Sequence, residues 1–436
     1  MHIFFVGIGG IGTSALAQLC VHLGYRASGS DAVDSPLLQK LREKNIHICV
    51  GHNEKNIPSE IDLLVYSEAI SSDNPERQYA TEKNIPQKSY FEYLGEISAN
   101  YRVIAVAGTH GKTTTTGLIA AGFQSGGFDA TVIVGSELEI FNGNFHAGTN
   151  GWLLVEACEY RKNFRFLSPE ILLITNVEWD HLDSFPNESD YYAAFNALVK
   201  KSKNVLYNGK NKDFTILLQQ NTTKNIFVDV GGKLPFVPQI SGICNVENIN
   251  MTLGLSSFLQ QYCNTMQYYC NNKKFNKTLF IEGVKNYRGA ARRQEFLGTI
   301  NDRKIFSDYA HHPTEIQAVA QIFREKFPQV PLAVAFEPHQ YSRTAHFFTE
   351  FSESLALFDH VALFPIYAAR DTKADKTSIS SEDFLHQHTD WFLLTYDKKA
   401  IGRWMQSLPN EAIIIFMGAG KVDKIARNQM DILSFG

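Results

Sequence analysis

Short apolar runs alternate along the chain with stretches of helical periodicity, and nearly every run closes on glycine or on a cluster of polar residues. Ile3 to Val6, Ile46 to Val50, Ile61 to Tyr66, Val103 to Ala107, Ala130 to Val134 and the runs opening at Trp152 and Ile171 read as buried strands. Gln294 to Ile300, Lys304 to Ser307, Leu332 to Phe336, Val361 to Pro365 and Ile413 to Met417 repeat the pattern near the C-terminus. Helices are expected at 35–44, 74–84, 245–261 and 314–327, the last with Thr314 and Glu315 in its first turn. This alternation predicts an α/β fold of doubly wound sheets, which bind ligands beyond the carboxyl ends of their strands.

The stretch from Val103 to Gly117, V-I-A-V-A-G-T-H-G-K-T-T-T-T-G, organises the rest. A buried strand runs into a turn bracketed by Gly108 and Gly111, and Lys112 with Thr113 opens a helix. Backbone N–H groups of such a turn close around phosphate oxygens, the helix start adds positive dipole, Lys112 supplies charge and the Thr113 hydroxyl can hold Mg²⁺. The common phosphate-loop spacing would need glycine at Val106, so this loop is a shorter variant.

A second glycine turn follows the first strand, G-I-G-G-I-G, matching G-x-G-x-x-G through Gly7, Gly9 and Gly12, with Asp31 ending the next strand. It predicts a bound diphosphate or nucleotide, without specifying a nicotinamide cofactor, against the plainer reading of a structural turn. Ser67 lies just past the strand ending at Tyr66, where open sheets place ligand contacts. W-L-L-V-E-A-C-E-Y and I-L-L-I-T-N-V-E-W-D-H-L-D each carry acidic, Asn or His residues just after a strand. Glu156 and His181 are therefore candidates to hold a metal or orient a nucleophile, with Asn176 and Asp180 close by.

The 436 residues exceed one ordinary core and suit three domains. The expectation is a Rossmann-like N-terminal domain over 1–98, a central phosphate-loop α/β domain binding a nucleoside triphosphate over 99–288 and a C-terminal Rossmann-like domain over 289–436. Y-R-G-A-A-R-R from Tyr287 marks the second boundary. The region 200–238 turns polar, and Cys263 to Lys277 reads as an exposed loop or weak element. A net charge of −4 argues against a dedicated nucleic-acid binder, and the six scattered cysteines indicate neither a disulfide framework nor a zinc site. No apolar run approaches a bilayer span and no leader pattern opens the chain, so a cytoplasmic protein, monomeric or homodimeric and not membrane-inserted, is expected.

Taken together with D-Y-A-H-H-P-T-E, P-H-Q-Y-S-R-T, Y-A-A-R and F-M-G-A-G, these motifs resemble the Mur ligases, ATP-dependent amide-forming enzymes of peptidoglycan synthesis, over nearly the whole chain. The resemblance implies domains for a UDP-sugar, ATP and an amino acid, and its nearest branch joins L-alanine to the carboxylate of UDP-N-acetylmuramate through an acyl phosphate. It implies that Gly108, Thr109, Gly111, Lys112, Thr113, Thr114 and Asn176 hold ATP, and that Thr113, Glu156 and His181 hold Mg²⁺. Asn245 would contact adenine, Arg293 and Asp308 would act near the phosphates, and His110 would position the acceptor carboxylate. Gly9, Gly10, Gly12, Ser30, Asp31 and Ser67 would take the UDP moiety. His311, His339, Tyr341, Ser342, Arg343 and Arg370 would line the amino-acid end.

The chain departs from the family pattern at Cys158, Cys244, Ser307 and Gln340, where aspartate, histidine, aspartate and arginine are usual. A murein peptide recycling ligase using a tripeptide, a paralogue using another amino acid or sugar, a scaffold that lost turnover and a nicotinamide dehydrogenase are the competing readings. The set Lys112, Thr113, Glu156 and His181 opposes the scaffold, and the phosphate loop opposes the dehydrogenase.

Overall fold

The computed structural model describes residues 1–210, 215, 218, 224–266, 275–369, 371 and 375–433. Among them the strands form three sheets, of five, seven and six strands, and the fold is α/β as expected. The first sheet comprises β1 (His2–Val6), β2 (Arg26–Asp31), β3 (His47–Val50), β4 (Leu63–Tyr66) and β5 (Gln87–Ser89). Its order is β3-β2-β1-β4-β5, with every pair parallel. Ile3, Phe4, Phe5 and Val6 are fully buried, which is why β1 reads as an unbroken apolar run: a central parallel strand is covered on both faces. The chain order reverses between β1 and β4, and the glycine turn after Val6 opens at that crevice.

The second sheet comprises β6 (Arg102–Ala107), β7 (Thr131–Leu138), β8 (Gly143–His146), β9 (Trp152–Glu156), β10 (Ile171–Ile174), β11 (Asn204–Asn208) and β12 (Lys224–Val228). In the order β12-β11-β10-β6-β9-β7-β8, β6 sits between β10 and β9. Its register sets Val106 opposite Glu156 and Ala107 opposite Ile174, so the loop after β6 and the polar ends of β9 and β10 emerge on one edge. β11 was not expected from the polar stretch in which it lies; its Val205 and Leu206 are fully buried against β10, and burial rather than local composition makes it a strand.

The third sheet comprises β13 (Glu295–Ile300), β14 (Arg303–Asp308), β15 (Leu332–Phe336), β16 (His360–Leu363), β17 (Phe392–Leu393) and β18 (Ile413–Met417), in the order β13-β14-β18-β15-β16-β17. Only β13 is antiparallel to its neighbour. Asp308, the last residue of β14, thus lies beside Gly418 and Glu337, which immediately follow β18 and β15.

The chain divides into two compact units, Met1–Asp180 with Asn187–Pro238 and Glu247–Tyr287, and His181–Pro186 with Gln239–Val246 and Arg288–Gly436. The first holds the first two sheets. Within it, Asn144 on β8 is 1% exposed and reaches the helix Ile11–His22 of the first sheet: its amide donates to Ser14 Oγ (2.8 Å) and to the Ile11 carbonyl, and its Oδ1 accepts from Gln18 (3.2 Å). The expected loop at Cys263 is corrected: the helix Ile243–Met266 continues through it, and Cys263 is buried in line with Leu255 and Leu259 on one helical stripe. Arg370 and Cys270 lie outside the described residues.

Candidate active site

Between β6 and the helix Lys112–Gly126 the backbone turns through two glycines with positive φ, +139° at Gly108 and +80° at Gly111. A Cβ at Gly108 would lie 2.0 Å from Thr175 Oγ1, and one at Gly111 would lie 2.5 Å from Asn248 Oδ1. Conformation and space therefore both demand glycine. The loop is fastened to the end of β10: Asn176 Oδ1 accepts the His110 N–H (2.9 Å), while Asn176 Nδ2 (3.0 Å) and Thr175 Oγ1 (2.6 Å) donate to the His110 carbonyl. Below it, buried Thr109 hydrogen-bonds through Oγ1 to the Tyr191 hydroxyl at 2.7 Å and receives the Glu178 N–H at 2.9 Å. Burial, more than any neighbouring charge, holds the Tyr191 phenol well above its ordinary pKa, so it serves as a neutral bonding partner. His110 Nε2 lies 3.1 Å from the Glu178 carboxylate.

The E-A-C-E-Y segment sends its two carboxylates to two different partners. Glu156 Oε2 accepts from Thr113 Oγ1 at 3.0 Å and Oε1 from the Gly135 N–H at 2.6 Å. Glu159, 2% exposed, has both oxygens 2.9 Å from Lys112 Nζ. That ammonium also folds back onto the carbonyls of Gly108 (2.5 Å) and Thr109 (3.1 Å). Desolvation alone would lower the Lys112 pKa, but Glu159 and the neighbouring acids reverse the direction and raise it, so the buried amine stays charged. Hydroxyl and carboxylate oxygens side by side at a helix start are the donor set of a hard divalent cation, and the glycine cradle fits phosphate oxygens. Thr114 lies half-buried in the first turn of the same helix.

At the first sheet, Gly7 has φ +76° and the Gly9 N–H donates to Asp31 Oδ2 at 2.8 Å, so Asp31 braces the turn from β2. Gly10 N–H closes onto the Gly7 carbonyl (3.1 Å), and Ser67 packs beside Gly7 and Gly10. Gly12 is the second residue of the following helix, Ile11–His22. Ser30 is fully buried, with its hydroxyl donating to Glu76 (2.6 Å) and lying 3.1 Å from His52 Nδ1. In a strand covered on both faces the side chain next to Asp31 points into the protein, and it is the Ser30 carbonyl that meets the turn, accepting from Gly7 and Ile8.

In the second unit, Asp308 is 3% exposed and accepts the N–H groups of Gln294 and Ala310, each at 2.8 Å. Burial raises its pKa, partly opposed by the Arg293 guanidinium and these N–H bonds. Arg293 faces Glu315 at 4.0 Å, and His311 lies 3.3 Å from the same carboxylate. The His311 and His339 rings meet edge to face, and His339 stacks on Tyr367. Asp371 accepts from the N–H groups of Tyr341 (3.0 Å) and Ser342 (3.1 Å), capping the helix Tyr341–His346 that carries buried Arg343. His181, at φ +57°, closes a turn by accepting from Ser184 and Phe185, and Asn245 donates to the Ser241 carbonyl at 2.7 Å.

Sequence reasoning missed Glu159, Glu178, Tyr191, Asn248 and Glu337. Glu159 stood in a quoted motif and could have been found there, since two carboxylates three residues apart beside one lysine need not share a role. Glu337 immediately follows a buried strand, is itself fully buried and accepts from the Tyr396 hydroxyl at 2.7 Å.

Three sequence models match the chain in order: the Mur ligase family, catalytic domain, over residues 2–102, the Mur ligase middle domain over 106–234, and the Mur ligase, glutamate ligase domain over 292–420. A curated UDP-N-acetylmuramate--L-alanine ligase of Clostridium acetobutylicum is 33% identical over 446 residues, spanning 97% of this chain and 96% of the relative. The solved UDP-N-acetylmuramate-alanine ligase of Thermotoga maritima shares the fold at a TM-score of 0.80 and 24% identity, covering 100% of this chain and 99% of that one. A murein peptide ligase of Psychrobacter arcticus does so at 0.73 and 21%, covering 99% and 98%.

Proposed function

The chain belongs to the Mur ligase family, and on that premise we propose that it joins L-alanine to the carboxylate of UDP-N-acetylmuramate with consumption of ATP, a step of peptidoglycan synthesis. The observation that carries the reading is the phosphate loop with its lysine, hydroxyl and two separately engaged carboxylates at one sheet edge. A carboxylate repels an amine nucleophile and offers no leaving group, so it must first become an acyl phosphate. Its carboxylate oxygen attacks the γ-phosphorus of ATP as ADP leaves, and the amino group then displaces phosphate at the carbonyl carbon. Bound Mg²⁺ would supply positive charge against the two anions brought together.

The chain's own groups do the rest. Gly108, Thr109, Gly111 and Lys112 hold the phosphates, and Thr113 and Glu156 are the oxygen ligands for the cation, with His181 assigned to a second one. His110, steadied by Glu178, faces the transferring group from within the loop. Gly9, Gly10 and Gly12 bind the sugar-nucleotide diphosphate, with Asp31 and Ser67 beside it. In the second unit, Arg293, Asp308 and Asn245 are assigned to ATP, and His311, His339, Tyr341 and Arg343 to the amino acid, whose free carboxylate suits a guanidinium. Domains at 1–98, 99–288 and 289–436, each holding one sheet, and a cytoplasmic location belong to the same proposal.

Phosphate release from ATP with Mg²⁺ and UDP-N-acetylmuramate, measured with L-Ala, L-Ser, Gly or the murein tripeptide, tests it. Release driven best by L-Ala is expected. Release driven by the tripeptide would make the protein a recycling ligase, and silence with all four would overturn the reading.

A further inference from the structure

Lys112 offers three protons, and in this structure Glu159 and the carbonyls of Gly108 and Thr109 engage them all. The ammonium is turned inward, onto the loop it would use to grip phosphate. Glu159 is 2% exposed and is fixed in place by the chain: it follows β9 by three residues and precedes a turn in which Arg161 and Lys162 adopt positive φ. Glu159 thus pairs with the ammonium of the phosphate loop through both of its oxygens, while Glu156 engages Thr113 at the helix start beside it. A bare triphosphate entering the loop meets a lysine already paired to Glu159, whereas a triphosphate carrying a divalent cation brings its own compensation.

We infer that Glu159 is a positioning residue that makes the loop accept nucleotide only together with its divalent cation, by holding Lys112 on the loop carbonyls and by opposing uncompensated phosphate charge. The inference rests on the reading of this loop as an ATP site. Glu156 lies on the cation side of Thr113; Glu159 acts on the lysine side and sets the cost of binding without metal. Its effect is on the difference between two affinities rather than on either alone.

Calorimetric titration of the full chain with a non-hydrolysable ATP analogue, once with Mg²⁺ and once with EDTA, reads that difference without turnover. The wild type should bind the metal-free analogue about 100-fold more weakly than the magnesium complex. Glu159→Gln should close the gap by about tenfold, chiefly by strengthening metal-free binding, because it removes one charge a few ångströms from the phosphates. Glu159→Asp, which keeps the charge, should retain the wild-type gap. Glu159→Ser carries the same expectation as the amide and covers the case where the amide variant does not fold. Equal weakening of both affinities in the neutral variants, or an unchanged gap, would overturn the inference and leave the ATP site standing. A folded wild type that binds neither form would overturn the ATP reading, and this inference with it.

Discussion

Ser307, fully buried at the end of β14, donates its hydroxyl to Asp423 Oδ1 at 2.7 Å. The family pattern has aspartate where this chain has Ser307, and here the carboxylate comes instead from the helix Val422–Leu433, where Asp423 also pairs with Arg427 at 3.1 Å. Ser307→Asp would set two carboxylates against each other without water between them. It should destabilise the protein by about 3 kcal/mol, and Ser307→Asp with Asp423→Asn should recover most of that loss. Denaturant titrations of the two variants check it; equal losses would mean that volume, not charge, decides at this site.

Gly108→Ala should lose about 3 kcal/mol, since strained φ and collision with Thr175 act together. Gly127→Ala is the control: φ is +71° but nothing lies within 4 Å of a Cβ there, so only the strain of about 1 kcal/mol should appear. Thermal melts separate the two, and only the first should also abolish nucleotide-dependent stabilisation.

Glu156→Gln keeps an oxygen for the Gly135 N–H and turns its NH2 toward Thr113 Oγ1, which can accept instead of donate, so stability should change by only about 1 kcal/mol. The lost charge should lower phosphate release by about 100-fold or more and raise the Mg²⁺ needed for half-maximal rate. Thr113→Val should move both in the same direction by less. A variant at position 156 that releases phosphate at the wild-type rate would remove Glu156 from the cation site.

Asp308 yields a pH prediction. Burial raises its folded pKa above the ordinary 3.8, so the folded state holds the proton more tightly than the unfolded chain does. Its contribution to stability is therefore fully present below the unfolded value and is lost as pH rises through the raised folded one. Asp308→Asn lacks that loss, and the stability of the variant relative to wild type should improve as pH climbs across this window. Unfolding midpoints measured on both sides of it give the sign directly.

What the sequence made legible follows from locality. β6, Gly108, Gly111 and Lys112 lie within eleven residues, so the strand, the turn and the charge could be read as one object. Asn248 and Tyr191 touch the same loop from far along the chain, and no local pattern announces them. The Ser30 hydroxyl meets Glu76, and G-S-D looks alike whether its serine faces outward or such an internal partner; only the pleat of a doubly covered strand decides. β11 was hidden because Asn204 and Asn208, both buried, bound it with polar letters. The assignment of Cys263 failed for a related reason: the Asn- and Tyr-rich residues after it masked the apolar stripe before it.

Asn144 bears on how this protein could be rebuilt. It is a polar side chain sealed between a hairpin of the second sheet and a helix of the first, and every bond it makes crosses from one to the other. A chimera that exchanged residues 1–98 for those of a relative would leave that amide sealed against a foreign helix, at a cost of about 1–3 kcal/mol for the stranded donor alone. The transplantable module is therefore discontinuous: a working graft of the N-terminal sheet has to carry the Gly143–His146 strand with it, or supply Ile11, Ser14 and Gln18 unchanged.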